Sequence, residues 1–322
     1  MTVRFGTFVP QGWKLDLVGI PDPAEQYETM TRVAHVAEEV GFDSIWVYDH
    51  FHTVPMPTQE TTFECWAITA GLARDTKSVR VGQMVTCNGY RHPSLLAKMA
   101  STVDAMSQGR LICGLGAGWY EHEWRAYGYG FPEVPERMGM FREACEIVYR
   151  MWTEDEPVFK GKYYTIDKPI NQPHGARKPH PEYWLGGGGE KVTLKLVAKW
   201  ADGCNIGGGN PDTVRQKLDV LRRHCEDLGR DINEITISTN LQNIYLLRDG
   251  EDPDQLPTWA TGPWTRELYK NYITPLTLDQ LAANVEAVVA AGANYINIYF
   301  AGLAYDQEPL QRFAHEIMPR YA

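Results

Sequence analysis

Asp49, His50 and His52 follow a short apolar run, Ser44-Ile45-Trp46-Val47-Tyr48, with no turn residue between. A carboxylate and two imidazoles at the end of an apolar strand cost free energy unless something pairs with them, so the position reads as one kept for chemistry. Histidine exchanges a proton near neutral pH and a neighbouring carboxylate orients it, which is the equipment of a proton relay. Adjacent strand residues point to opposite faces, so Asp49 and His50 need not touch each other. His50 and His52 share a face, and a His-x-His pair at a strand end also begins the metal site of barrel hydrolases. That chemistry needs ligands at later strand ends, where this chain has glycine, and its nearest histidines, His174 and His180, precede the next strand. A glycosidase needs two carboxylates about 5–9.5 Å apart. Asp49 and Glu123 are the right type, but glycine clusters have no part in that reaction. The plain alternative for His50 is a buried, hydrogen-bonded structural histidine.

The second feature is Gly186-Gly187-Gly188-Gly189, followed by Glu190-Lys191 at the opening of a helix. Bare backbone admits a ligand closely, and the free N–H groups of a first helical turn favour a phosphate or another anion. One or two glycines would serve a simple turn, so four point to an anion site, with Lys191 and Thr193 placed to add contacts. A further cluster, Gly114, Gly116 and Gly118, precedes Trp119, Glu121 and Glu123. It lets a flat ring system lie against bare backbone. Val85-Thr86-Cys87-Asn88 marks another strand exit, and Cys87 is the one cysteine of six outside an ordinary apolar context. Together these describe a planar, phosphate-bearing cofactor. Trp13 and Trp119 also follow strand ends and are weaker pocket candidates, whereas Trp46, Trp66 and Trp124 read as packing residues.

The elements that must hold these residues recur as a cassette: amphipathic helix, glycine just past its end, short apolar strand. Strands are predicted at 3–9, 44–49, 79–86, 110–116, 182–186, 203–207, 235–247 and 294–300. Helices are predicted at 24–40, 93–107, 190–201, 277–291 and 308–318. Eight β/α repeats make a (β/α)8 barrel most economically, with the active face at the strand C-termini. A doubly wound sheet normally carries Gly-x-Gly-x-x-Gly after its first strand, and Pro10-Gln11-Gly12-Trp13 does not match. The expectation is a single barrel domain over 1–322, with insertions at 153–181 and 248–275, the latter carrying Trp259 and Trp264.

The bulk properties narrow the partners. The net charge is −10, with no basic run, which argues against nucleic acid. No apolar stretch approaches the ~20 residues needed to span a bilayer. An N-terminus that passes directly into a strand predicts no signal peptide, and scattered, unpaired cysteines fit reducing conditions. The expectation is a cytoplasmic enzyme of a small-molecule substrate.

Ordered motifs then resemble a family. Gly82-Gln83-Met84-Val85-Thr86 with Tyr90-Arg91-His92-Pro93, then Gly114 to Trp119, then Gly186 to Lys191 with Trp200-Ala201-Asp202-Gly203, are similar to the bacterial luciferase-like superfamily. The Asp49-His50-Phe51 exit resembles its branch using the deazaflavin coenzyme F420. The resemblance implies a (β/α)8 barrel, usually a homodimer, whose cofactor ring lies on a bulge within Met84-Val85-Thr86-Cys87 that often carries a non-prolyl cis peptide. It places the phosphate at Gly188, Gly189, Glu190 and Lys191, beside Gly187, and makes Asp49 and His50 the pair next to the deazaflavin. Cys87-Asn88 departs from the usual Gly or Ala, and Glu121 and Glu123 compete for the acidic position after Gly-Trp. The implied activity is hydride transfer to or from an organic substrate. The alternative is a monooxygenase using reduced FMN and oxygen, since one glycine turn serves either ribityl phosphate.

Overall fold

A computed structural model of the chain describes residues 2–258 and 272–321. In chain order the first elements are β1 (Arg4–Phe8), α1 (Pro23–Glu39), β2 (Ser44–Val47), α2 (Cys65–Asp75), β3 (Arg80–Gln83) and β4 (Thr86–Cys87). Next come α3 (Pro93–Met106), β5 (Leu111–Gly116), α4 (Glu121–Ala126), α5 (Val134–Thr153), β6 (Val158–Lys160) and β7 (Thr165–Asp167). Then follow β8 (Glu182–Gly186), α6 (Thr193–Trp200), β9 (Gly203–Asn205), α7 (Pro211–Leu228) and β10 (Thr236–Leu246). The chain closes with β11 (Thr274–Leu276), α8 (Leu278–Ala290), β12 (Tyr295–Phe300) and α9 (Glu308–Glu316). This is the (β/α)8 barrel that the alternation predicts. Two compact units divide it: Met1–Glu64 with Ile206–Gln216 and Ile237–Ala322, and Cys65–Asn205 with Lys217–Thr236. No helix among the described residues is long and apolar enough to cross a membrane.

In the first unit β1 runs parallel between β2 and β12, and β10 pairs on the far side of β12. Every residue of β2 and β12 is buried, which is why these segments read as continuous apolar runs and not as alternating ones. Gly6 sits opposite Ser44 and Asn297, and a Cβ there would lie 2.4 Å from Trp46 Nε1 and 2.6 Å from Asn297 Oδ1. Helix α1 begins where Asp22 caps the Ala24 N–H at 3.1 Å, with Pro23 in the first turn. Helix α8 begins in a Thr277/Gln280 capping box.

In the second unit β3, β5, β8 and β9 lie side by side in parallel. The strand predicted over 79–86 is broken: β3 ends at Gln83, β4 is two residues long, and the Met84–Val85 peptide between them is cis. A Cβ at Gly114 would meet the Gln83 carbonyl at 2.0 Å, and Cβ atoms at Gly116 and Gly186 would meet Val85 methyls at 2.6 and 2.8 Å. These glycines make room for the interruption. The helix predicted from 190 begins at Thr193, because Glu190–Val192 form a turn. The 153–181 insertion contains a small antiparallel hairpin, β6 with β7. Trp259 and Trp264 lie outside the described residues.

Candidate functional site

In the first unit Asp49 and His50 emerge directly from the C-terminal end of β2, 2% and 9% exposed. The His50 ring lies flat on the indole of Trp13, centroids 4.2 Å apart and planes within 3°. Trp13 rides on the segment after β1, so β1 and β2 deliver the two rings from the same strand ends. His52 is half-buried. Of the two weaker tryptophan candidates, Trp13 therefore joins the histidine. Trp119, in the second unit, is 62% exposed and stacks on Tyr120.

The segment carrying Trp13 is held by groups that no motif announced. Gln11 Nε2 donates to the carbonyls of Tyr48 (2.8 Å) and Phe63 (2.7 Å), while its Oε1 accepts from the Tyr48 N–H at 2.7 Å. Gly12 has φ +97°, and a Cβ there would meet the Thr61 carbonyl oxygen at 2.0 Å. Asp16 accepts from the Gly12 N–H at 2.6 Å and from the Tyr299 hydroxyl at 2.7 Å. Burial pushes the Asp16 carboxyl above its ordinary range, outweighing those hydrogen bonds. Lys14 Nζ donates to Gln242 Oε1 at 3.0 Å and Asn243 Oδ1 at 2.7 Å, and lies 4.0 Å from the Tyr299 ring centroid. Burial pulls the Lys14 ammonium down to about 7, with the Asp16 charge opposing. These partners lie up to 229 and 283 residues away in sequence, so only the fold brings them together.

In the second unit the β3–β4 interruption presents Met84, Val85, Thr86, Cys87 and Asn88. The Trp66 indole N–H donates to Thr86 Oγ1 at 3.1 Å. Cys87 is buried and in no disulfide, and a Cβ at Gly118 would meet its sulfur at 2.5 Å. Asn88 donates to the Tyr164 hydroxyl at 3.3 Å, so the 153–181 insertion reaches this exit, and Asn88 Oδ1 is buried with no protein partner. Glu123 is fully buried and accepts from the Tyr90 hydroxyl at 2.7 Å, whereas Glu121 is exposed and pairs with Arg125. Gly116 and Gly118 are filled by Val85, Cys87 and Trp124 and not by open space, so they admit the interruption.

The glycine turn joins β8 to α6. Gly187 has φ +117° and donates its N–H to the Asn205 carbonyl at 3.1 Å. A Cβ at Gly188 would meet Lys217 Cε at 3.3 Å, and one at Gly189 would meet Thr193 Oγ1 at 2.9 Å. Lys217, on α7, pairs with Glu190 at 2.7 Å, and His224 Nε2 donates to the Glu190 carbonyl at 2.8 Å. Lys191 is exposed. Lys217 thus brings a second cation to the turn, one that sequence spacing did not reveal because it stands on the next helix. A bare turn at a helix start with a lysine alongside fits a phosphate. Among the described residues no three His, Cys, Asp or Glu side chains converge as metal ligands.

A family model described as luciferase-like monooxygenase matches residues 3–294. An F420-dependent glucose-6-phosphate dehydrogenase of Amycolatopsis mediterranei is 28% identical over 337 residues, covering 94% of this chain and 98% of that one. An F420-dependent secondary alcohol dehydrogenase, solved with an F420–acetone adduct, superimposes with a TM-score of 0.79 at 21% identity, over 100% of both chains. A monooxygenase from Streptomyces bottropensis does so with 0.80, also at 21% identity, over 99% of this chain and 100% of that one. Similarity to these structures carries the fold and does not choose between their chemistries.

Proposed function

Because the chain belongs to the luciferase-like monooxygenase family, we propose that it is an oxidoreductase using coenzyme F420 to exchange a hydride with a carbinol carbon. Glucose 6-phosphate, the substrate in its relatives' names, is the first compound to test. The observation that carries this reading is the Asp49–His50 exit, with the imidazole held against Trp13 at the strand end where a barrel keeps its chemistry.

When bound, the deazaflavin supplies the hydride acceptor or donor. The residues of this chain supply the rest. Gly187, Gly188, Gly189, Glu190, Lys191, the first turn of α6 and Lys217 would hold the phosphate. Met84 to Asn88, with Gly116 and Gly118 behind them, would face the ring system, and Asn88 Oδ1, buried without a protein partner, would offer it an acceptor. His50 receives the hydroxyl proton as the carbinol is oxidised, or returns it in reduction, and Asp49 orients the exit that carries it.

A monooxygenase using reduced FMN is the second reading, favoured by the description of the family model that matches residues 3–294. Titration of the apoprotein with F420 and with FMN, each oxidised and reduced, followed by tryptophan fluorescence, separates the two. Micromolar F420 binding with little FMN binding, and F420 reduction on adding glucose 6-phosphate, is expected. Preference for reduced FMN would overturn the F420 assignment.

A further inference from the structure

Trp13 is not held by its own polar handle. Its Nε1 is buried with no hydrogen-bond partner, a state that is ordinarily destabilising. Its backbone carbonyl accepts from the Val54 N–H at 2.9 Å, and the residues on either side are the ones pinned to other strands. On one side Gly12 is tied to Asp16, which takes the Tyr299 hydroxyl from β12. On the other, Lys14 spends two donors on Gln242 and Asn243 of β10 and lies over the Tyr299 ring. Leu15, between the two anchors, has φ +61°, a backbone state a leucine keeps only under constraint.

The β10 side of this contact is itself shaped for it. Leu241 pairs with Ile298 and Ile244 with Phe300, so β10 spends three steps where β12 spends two. The extra residue is a bulge containing Gln242 and Asn243, and Asn243 has φ +58°. Bulges re-aim side chains near functional sites, and here both amide oxygens meet one ammonium. With its donors committed to those oxygens and to a ring face, Lys14 has none in reserve for a substrate. A methionine would fill the same volume without the desolvation cost of a buried cation. What the group does in this fold is tie the Trp13 segment to β10.

We propose that Lys14, gripped by the Gln242–Asn243 bulge, is a positioning residue that sets the Trp13 ring against the His50 imidazole. Its consequence for turnover rests on His50 being the proton relay, but the placement of the ring does not, and the test separates the two. In protein carrying labelled histidine, the His50 ring C–H resonance is assigned by its disappearance in His50→Gln. The Trp13 ring current is expected to displace that resonance, and Trp13→Leu gives its undisplaced position. Lys14→Met should move the resonance toward the Trp13→Leu position, and Lys14→Arg should restore it. Asn243→Gly, which removes one acceptor while tolerating the positive φ, should produce the same loss in a chain that keeps Lys14. An unmoved resonance in both Lys14→Met and Asn243→Gly would overturn the proposal. With glucose 6-phosphate and F420, Lys14→Met should lower kcat about 10²-fold, the scale of an ångström-level misplacement, with F420 affinity unchanged. A moved resonance with unchanged kcat would uphold the positioning role and remove His50 from the chemistry.

Discussion

An imidazole lying 4.2 Å from an indole and within 3° of parallel has lost most of its choice of rotamer. For a proton relay that restriction is useful, because the ring nitrogens meet the substrate in one setting instead of several. Replacing the side chain tests the role directly. His50→Ala should leave F420 affinity within a few-fold while lowering turnover about 10²-fold or more, the usual size of acid–base effects. Unchanged turnover would defeat the assignment. Asp49 and His50 were legible in the sequence because polar residue types closing an apolar strand stand out locally. Lys14 and Asp16 were not, since their meaning lies in Gln242, Asn243 and Tyr299, and no local pattern encodes a contact across 228 residues or more. Lys191, next to the glycines in sequence, is exposed, and Lys217 on α7 reaches the same turn by pairing with Glu190, a placement no local pattern encodes.

The β8–α6 turn shows how glycine content leaves backbone bare at the start of a helix. Gly188 has no room problem in the chain itself except toward Lys217, whose Cε a Cβ would meet at 3.3 Å. Gly188→Val would push that side chain off the turn and cover the bare backbone. F420 affinity is then expected to fall tenfold or more, equivalent to about 1.4 kcal/mol, with thermal stability little changed. Equal affinity by fluorescence titration would remove the phosphate from this turn. Most elements were readable: each predicted strand is present, and α1, α3, α8 and α9 fall within a few residues of their expected ends. The misses have local causes. Thr193 opens α6 because Glu190 to Val192 turn before it, and the 79–86 strand breaks at Met84–Val85, where three glycines on β5 and β8 clear the space. The hairpin of β6 and β7 has three residues per strand, too few for an alternation to register.

Over the whole molecule, the Lys14 ammonium leaves a trace in stability against pH. Its folded pKa, about 7, lies below the ordinary 10.5, so between those values the unfolded chain binds the proton and the folded chain does not. Stability contributed by this group therefore rises with pH across that window and is at its lowest below about 7. Urea midpoints of wild type should gain on those of Lys14→Met as pH increases from 7 to 10. Parallel curves would mean that Lys14 is not desolvated in the fold. The β/α rhythm made the barrel legible from end to end, because each repeat is local. The pairing of β1 with β12 is not local at all: Thr7 Oγ1 donates to the Ile298 carbonyl across 291 residues. At about 5–20 residues per second, synthesis separates those two strands by roughly 15–60 s. Throughout that interval the buried strand that carries the Trp13 segment has an open edge with its partner not yet made. A chain that stops short of β12 lacks the Tyr299 hydroxyl that Asp16 accepts, and with it one of the two ties that fix the Trp13 segment to other strands.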